Sequence, residues 1–213
     1  MPTTIGYAGE IYAVNALNEA RLFVELNNGS PSGNKKRASD RIHATLSLFS
    51  MMQDADSLNY LDRFFATIRC NASYIIGATD GKTARSYEWD VDGVQRGDTV
   101  SKPGVMVMTN HFVSPIWQRP EPTDEASWQS VTRRNNLLNL AEEFKGKIDA
   151  AQMMELMDRD ISAGSSKSKL TRYELTLQPQ NKVIWLKIPE ESNWTKIDMK
   201  HLFQRQTQQK TAA

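Results

Sequence analysis

The sequence predicts an α+β fold in which helix layers cover stacked antiparallel sheets. Strand-like runs rich in β-branched and aromatic residues come in neighbouring pairs, and two pairs of segments carry apolar residues at helical spacing. Their order is a hairpin, two helices, a second hairpin with a further strand, two helices and a last hairpin, which suits that architecture. For a chain of 213 residues, we expect one domain over residues 1–203 and a polar, disordered tail over residues 204–213.

The composition argues against several classes of partner. The 26 basic residues nearly balance the 25 acidic ones, so no net charge draws the chain to nucleic acid or anionic lipid. The sequence has no cluster of Cys and His at zinc-binding spacing, and we expect neither metal nor cofactor. It also has no long apolar run and no export leader, so as written it is expected to be soluble, cytoplasmic and without a membrane partner. A small, weakly polar ligand is easier to reconcile with this composition.

The first third of the chain predicts a hairpin followed by two helices. Residues 10–17 and 22–26 read as strands around a turn at residues 18–21, and residues 29–37 read as an exposed loop. Ser39 or Asp40 is expected to cap the first helix, and Ser57 the second. The apolar residues expected in the core are Ile42, Leu46, Leu48, Phe49 and Met52 in the first helix, and Leu58, Leu61, Phe64, Phe65 and Ile68 in the second.

Two residues in this part carry chemistry in other proteins but are expected to be structural here. His43 has no second ligand at metal-binding spacing. Cys70 has only Arg69 beside it, whereas a reactive thiol needs surroundings that lower its pKa. We therefore expect an inert, partly buried thiol at Cys70.

The middle of the chain predicts a second hairpin and then an apolar strand that ends in polar residues. Residues 72–79 and 83–89 flank Asp80-Gly81, a strong hairpin turn, and residues 90–102 are a polar stretch. Residues 105–108 are apolar and alternate, so we expect a buried strand that delivers the Asn110 side chain to a sheet edge. The alternative is that Asn110 only turns the chain by bonding to its own backbone.

The last part predicts a loop, two helices and a hairpin. Three prolines make residues 114–126 a surface loop, and helices are expected at residues 127–145, with Gly146 ending the helix, and at residues 150–157. Residues 171–177 and 183–188 flank a turn at residues 180–181 as a late hairpin.

Several motifs in this order resemble one protein family. The motifs are Asn18-Glu19-Ala20-Arg21-Leu22 with Leu26-Asn27, residues 74–81, Thr109-Asn110-His111-Phe112, Ser130-Val131-Thr132-Arg133, and residues 183–189 with residues 194–198. In their order and spacing, the sequence is similar to the penicillin acyltransferase-like branch of the choloylglycine hydrolase group, which belongs to the N-terminal nucleophile hydrolases. The resemblance covers nearly all of residues 6–203 and rests on the set of motifs, because no single one is specific.

The resemblance implies a four-layer α-β-β-α sandwich and cleavage or acyl transfer at linear C–N amide bonds of a small acylated substrate. In that family an N-terminal cysteine is the nucleophile and its own α-amine relays the proton. By position Asn27, or Asn28 in the other register, and Asn110 match the asparagine amides that receive the developing oxyanion. Arg133, or Arg134 if the alignment shifts by one, matches an arginine that supports the nucleophile.

The sequence departs from the family pattern at three places. Arg21 stands where the family has a turn glycine, so that turn must differ or tolerate strain. The N-terminal cysteine and the Arg-Asn-x-Asp segment that follows it in the family are absent. Cys70, an internal residue, has no free α-amine. We therefore expect the nucleophile and the first strands to lie upstream of this chain, and the chain alone to be inactive.

Three interpretations remain open on the sequence. The chain is the C-terminal portion of an amide hydrolase or acyltransferase, or a non-catalytic relative that binds an acylated small molecule or a partner chain, or an unrelated α+β protein. The partner chain would be a second copy or the missing N-terminal segment as a separate chain. Penicillins, bile-acid conjugates, acylated amino acids and small peptides all remain open as substrates. Trp89, Trp117 and Trp128 are candidates for an acyl pocket, with packing in the core or at its rim the simpler role for each.

Overall fold

The computed structural model describes residues 2–6, 14–98 and 104–203. It confirms the α+β class with antiparallel sheets, and the chain divides into two compact units, residues 1–131 and 132–213. The predicted tail and part of the first predicted strand lie outside the described residues. The helices are Ala44–Asp54 (α1), Leu58–Thr67 (α2), Ser130–Glu143 (α3) and Ala150–Met157 (α4), and the strands are Thr3–Ile5 (β1), Asn15–Leu17 (β2), Phe23–Asn28 (β3), Tyr74–Thr79 (β4), Ala84–Asp90 (β5), Gly93–Asp98 (β6), Glu174–Gln178 (β7), Val183–Lys187 (β8) and Thr195–Asp198 (β9).

The first unit contains a six-stranded antiparallel sheet in which each strand pairs with the next one in sequence, from β1 to β6. The hairpins β2–β3 and β4–β5 confirm two predicted hairpins. Strand β6 was missed, because its sequence Gly-Val-Gln-Arg-Gly-Asp has little β-propensity of its own. It forms because the ladder with β5 supplies its backbone partners, for example Val94 opposite Trp89.

Helices α1 and α2 cover one face of this sheet. The core between them contains Leu48, Met52 and Leu61 from the helices and the rings of Tyr87 and Trp89 from β5. Burying side chains of this size contributes about 1.5–3 kcal/mol each.

The capping predictions for these helices have different outcomes. Ser57 caps α2 as predicted, with its hydroxyl accepting from the N–H of Tyr60. The cap of α1 is His43, so the prediction of Ser39 or Asp40 was wrong. The backbone carbonyl of Asn71 accepts a hydrogen bond from the N–H of Ala38, and its side-chain oxygen accepts one from the N–H of Ala44. These bonds keep the chain before α1 out of the helix.

Two of the apolar residues predicted for the core of α1 are exposed. Ile42 lies before the helix and is 68% exposed, and Leu46 is 43% exposed. The helix starts later than predicted, so its buried stripe is formed by other residues, including Leu48, Met51 and Met52.

The turn between β2 and β3 places Arg21 in a strained backbone conformation. Arg21 has φ +67°, in the left-handed region that favours glycine. Of the two predicted alternatives, a different turn or a strained one, the strained turn is the one observed. Asn18 secures the turn from inside the core. Its amide donates to the carbonyls of Met52 and Ala55, and its oxygen accepts from the N–H of Leu22.

The predicted strand at residues 105–108 does not form. Val105 makes a single bridge, and Met106 to Thr109 have no strand assignment. Alternation favours a strand only where a neighbouring strand supplies hydrogen bonds, and these residues lie half-buried without such a ladder among the described residues.

The second unit contains a three-stranded antiparallel sheet, β7–β8–β9, together with α4 and most of α3. The hairpin β7–β8 confirms the last predicted hairpin. Helix α4 has the predicted bounds, and α3 is shorter than predicted. Gly146, with φ +74°, follows the end of α3 as expected. The four-layer stacking and the single domain over residues 1–203 stay predictions.

Candidate functional site

The second face of the six-stranded sheet, opposite α1 and α2, carries the polar residues of the candidate site. Val24 and Leu26 point into the helix-covered core, so the alternation of side chains along β3 places Glu25 and Asn27 on the second face. Gly77 of β4 lies opposite Glu25, and a Cβ atom there would lie 2.0 Å from the terminal methyl group of Met108. The missing side chain therefore leaves the space in which Met108 packs against this face.

Asn110 lies at the end of β3, beside two of the predicted site residues. Its side-chain N–H donates to the backbone carbonyl of Asn28 at 3.0 Å, so Asn110 is a neighbour of the Asn27–Asn28 pair. The side chain of Asn28 is exposed and accepts from the N–H of Ser30. An asparagine that only turned the chain would bond to its own backbone within a few residues. The bond from Asn110 instead spans 82 positions.

A buried hydrogen-bond network holds the backbone of Asn110. The hydroxyl of Ser130, the first residue of α3, accepts from the N–H of Asn110 at 2.6 Å and lies 2.8 Å from Nδ1 of His111. It also lies 2.9 Å from the hydroxyl of Thr109, which donates to the carbonyl of Ser130 at 3.0 Å. The network therefore joins the Thr-Asn-His and Ser-Val-Thr-Arg motifs, a link that no local pattern in the sequence could have predicted.

Glu88 fixes the segment that follows Asn110. Its carboxylate, on the second face of β5, accepts from the backbone N–H groups of Val113 and Ser114 and from the indole N–H of Trp117 at 2.7 Å. The ring of Trp117 stacks on Phe112 with centroids 5.4 Å apart. Sequence reasoning missed Glu88, although an acidic residue inside a strand pattern is a usable signal, since a buried carboxylate needs partners.

An ion pair between Asp90 and Arg119 attaches the end of the same segment to the sheet. The Asp90 side chain is fully buried and pairs with the Arg119 guanidinium at 2.7 Å. Burial raises the pKa of Asp90, but the hydrogen bonds from Arg119 and from the N–H of Asn34 outweigh it and hold that pKa below its usual range. The guanidinium also lies 4.7 Å from the centre of the Trp117 ring. Residues 110–119 are therefore fixed to the sheet by two carboxylates.

Glu25 is a half-buried carboxyl group on the same face, two residues before Asn27. Desolvation raises the pKa of Glu25 above its ordinary value. Residues separated by two positions along a strand lie about 7 Å apart, so this acid is near the candidate site. No motif had indicated it.

Cys70 and His43 lie in structural positions. Burial raises the pKa of the Cys70 thiol to about 12, and the side chain has no exposed surface, whereas a reactive thiol needs a lowered pKa and access to solvent. Nδ1 of His43 accepts from the N–H of Thr45 as the cap of α1. Trp89 is 1% exposed in the core, whereas Trp128 is 44% exposed.

Arg133 and Arg134 both lie on α3, in the second unit. Their predicted role stays a prediction. Among residues 2–6, 14–98 and 104–203, no group of His, Cys, Asp and Glu has the arrangement of a metal site. Within the same ranges, no helix combines the length and the apolar character needed to cross a bilayer.

Comparisons with known proteins identify the fold. No protein-family model matches the sequence, and no curated protein sequence matches it either. A crystal structure of a variant of conjugated bile acid hydrolase from Clostridium perfringens is similar to 93% of this chain and 76% of its own chain, with 12% identity and a TM-score of 0.61. The fold is that of this hydrolase.

Two further solved structures agree. A mutant of the same bile acid hydrolase matches 93% of this chain and 76% of its own, with 11% identity and a TM-score of 0.58. Penicillin V acylase from Agrobacterium tumefaciens matches 88% of this chain and 66% of its own, with 10% identity and a TM-score of 0.56. The resemblance seen in the sequence is therefore supported at the level of the fold. The upstream nucleophile stays a prediction.

Proposed function

We propose that this chain is the body of an enzyme that hydrolyses or transfers the acyl group of linear amides, with Asn110 and Asn27 as its oxyanion donors. One observation supports this more than any other. The Asn110 side chain is fixed against the end of β3 by its bond to the Asn28 carbonyl, and the Ser130 hydroxyl fixes its backbone. Fixed donors of this kind stabilise the charge that develops on the carbonyl oxygen of a substrate.

The chemistry of a primary amide fits that role. The nitrogen of Asn110 carries two N–H groups, and the bond of one to the Asn28 carbonyl fixes the plane of the amide. An amide donates a hydrogen bond without carrying a charge of its own. Because this amide is already held in place, it does not need to reorient when the oxyanion forms.

The proposed reaction needs a nucleophile from outside these 213 residues. Cys70 is the single cysteine of the sequence and is buried as a neutral thiol. An N-terminal cysteine, upstream in a longer chain or on a partner chain, would attack the acyl carbon while its α-amine takes the thiol proton. The C–N bond then breaks, the amine leaves with that proton, and water or an acceptor amine releases the acyl group. Arg133 is proposed to support the nucleophile.

The substrates of the structural neighbours suggest the first compounds to test. Conjugated bile acids and penicillin V both carry an acyl group on a linear amide nitrogen. A small acylated amide is therefore the proposed substrate. A second function, binding of such a compound without turnover, is favoured by the inert state of Cys70 if no other nucleophile joins the fold.

The experiment measures amide hydrolysis by the native protein isolated from its source cells, with conjugated bile acids, penicillin V and N-acyl amino acids. Replacing Asn110 by Ala, or Asn27 by Ala, is expected to lower kcat about 100-fold or more with a smaller change in KM. Asn28→Ala is the matched control and decides the register, because it keeps the backbone carbonyl that holds Asn110 and removes only the side chain that points away from Asn27 across β3. Unchanged kcat in the Asn110 variant would contradict the proposed role. Binding of these compounds without release of amine would support the second function.

A further inference from the structure

The buried network around Asn110 contains more close contacts than its hydroxyl protons can fill. Four contacts lie at hydrogen-bond distance: Thr109 Oγ1 to the Ser130 carbonyl at 3.0 Å, Ser130 Oγ to Thr109 Oγ1 at 2.9 Å, and His111 Nδ1 to Ser130 Oγ at 2.8 Å and to Thr109 Oγ1 at 3.3 Å. The first two contacts each need one hydroxyl proton, and the two hydroxyl groups supply no more than two. The proton for the two contacts of Nδ1 must therefore come from the imidazole ring.

The direction of each bond follows from the carbonyl. A carbonyl oxygen only accepts, so the Thr109 hydroxyl donates its proton to the Ser130 carbonyl. Thr109 Oγ1 must then accept the proton of the Ser130 hydroxyl. Ser130 Oγ is left as the acceptor for the N–H of Asn110 and for Nδ1 of His111. The other assignments each bring two lone pairs together at 3.0 Å or less.

We propose that His111 is a positioning residue for Asn110, held with its proton on Nδ1 and donating it to Ser130 Oγ. The ring is 4% exposed, so water does not compete for this bond. The donation fixes the orientation of the Ser130 hydroxyl oxygen, and that oxygen in turn fixes the backbone N–H of Asn110. The residue acts through Ser130 and Asn110 and does not need to touch substrate.

The consequence for catalysis rests on the proposed function. A donor misplaced by about 1 Å costs on the order of 100-fold in rate, and His111 is one of the groups that keep Asn110 in place. The state of the imidazole itself is a property of the folded chain, and it can be measured whether or not the chain belongs to an enzyme.

The first measurement is the tautomer of His111 by long-range ¹H–¹⁵N NMR of the folded protein, at a pH where the ring is neutral. The chain has three histidines, and a His111→Asn variant assigns the signal. We expect a protonated Nδ1 and an unprotonated Nε2. The opposite tautomer in the wild type would overturn the proposal.

A variant tests whether the hydroxyl count sets the tautomer. Thr109→Val keeps the shape of the side chain and removes the acceptor of the Ser130 proton, so that proton becomes available to Nδ1 of His111. The population of the Nε2–H tautomer is expected to rise. A neutral ring that stays fully Nδ1–H in this variant would contradict the proton count. Thr176→Val, on β7 of the second unit, is the control and should leave the His111 signal unchanged.

Conservative replacement separates positioning from general stability. An Asn side chain places its Nδ2 two bonds from Cβ, as Nδ1 is in histidine, whereas the amide of Gln lies one bond further out. His111→Asn is therefore expected to keep kcat within about 10-fold and His111→Gln to lose about 100-fold, with little change in KM. Equal losses in both variants would overturn the positioning role. If the NMR result holds and no amide is cleaved by the wild type, the proposed function fails and the assignment of His111 stands.

Discussion

Glu88→Gln is expected to destabilise the first unit by about 3 kcal/mol at pH 7. The carboxylate accepts from two backbone N–H groups and from the indole N–H of Trp117. Gln keeps one oxygen for the backbone groups but turns the other acceptor into an NH₂ group that meets the indole donor. Hydrogen bonds to a charged acceptor contribute about 1.5–3 kcal/mol, and a buried donor without a partner costs about 1–3 kcal/mol. The loss of the Trp117 bond therefore accounts for most of the change.

A double-mutant cycle isolates this bond. Trp117→Phe removes the indole donor, so the cost of Glu88→Gln in that background should fall to about 1 kcal/mol, which gives a coupling of roughly 2 kcal/mol. Urea unfolding followed by far-UV circular dichroism measures all four variants. Glu121→Gln, an exposed glutamate in the same loop, is the control and should change stability by less than about 0.5 kcal/mol. A coupling near zero would refute the reasoning.

Four further predictions test other parts of the structure. Asn18→Ala removes three buried hydrogen bonds, two to the end of α1 and one within the β2–β3 turn. It should cost about 2–4 kcal/mol in urea unfolding, whereas a loss below about 1 kcal/mol would contradict its role. Arg21→Gly relieves the left-handed backbone and should raise stability by about 1 kcal/mol, so a destabilised variant would argue against the strain. Cys70 should resist alkylation at pH 8 until the protein is unfolded in urea, and rapid labelling of the native protein would exclude the buried thiol. Desolvation raises the pKa of Glu174 above its ordinary value of 4.5. This carboxyl group therefore stabilises the fold fully below its unfolded pKa, and the stabilisation is lost as the pH rises through its native pKa. Between pH 4 and pH 8 the urea midpoint of Glu174→Gln should rise relative to that of the wild type, and a constant difference would contradict this.

The parts of the fold that the sequence predicted are those with local signals. The Asp80-Gly81 turn fixed the β4–β5 hairpin, and Ser57 marked the start of α2, because a turn or a cap depends on a few adjacent residues. The predictions for strand β6 and for the residues after Val105 were wrong. Strand β6 forms despite its weak β-propensity, because β5 supplies a hydrogen-bond ladder. The residues after Val105 alternate strongly but have no such ladder among the described residues.

The candidate site shows the same division. Asn110 and Asn27 became candidates because they match motifs of the family that the sequence resembles. Ser130 stood in another of those motifs, but its bond to the N–H of Asn110 spans 20 positions and nothing in the sequence indicated it. Glu88, which fixes the segment after Asn110, had no motif at all. Side chains that act by fixing a distant backbone are visible only once the chain is folded.

The most direct test of the proposed function is to identify the residue that becomes acylated during turnover. The native protein would be mixed with a slowly hydrolysed N-acyl amide or an acylating analogue, quenched in acid, digested and mapped by mass spectrometry. The account predicts an acyl group on the N-terminal residue of a segment outside these 213 residues, with adduct formation slowed by Asn110→Ala and unaffected by Asn28→Ala. An acyl group on Cys70, or turnover that does not depend on Asn110, would contradict it.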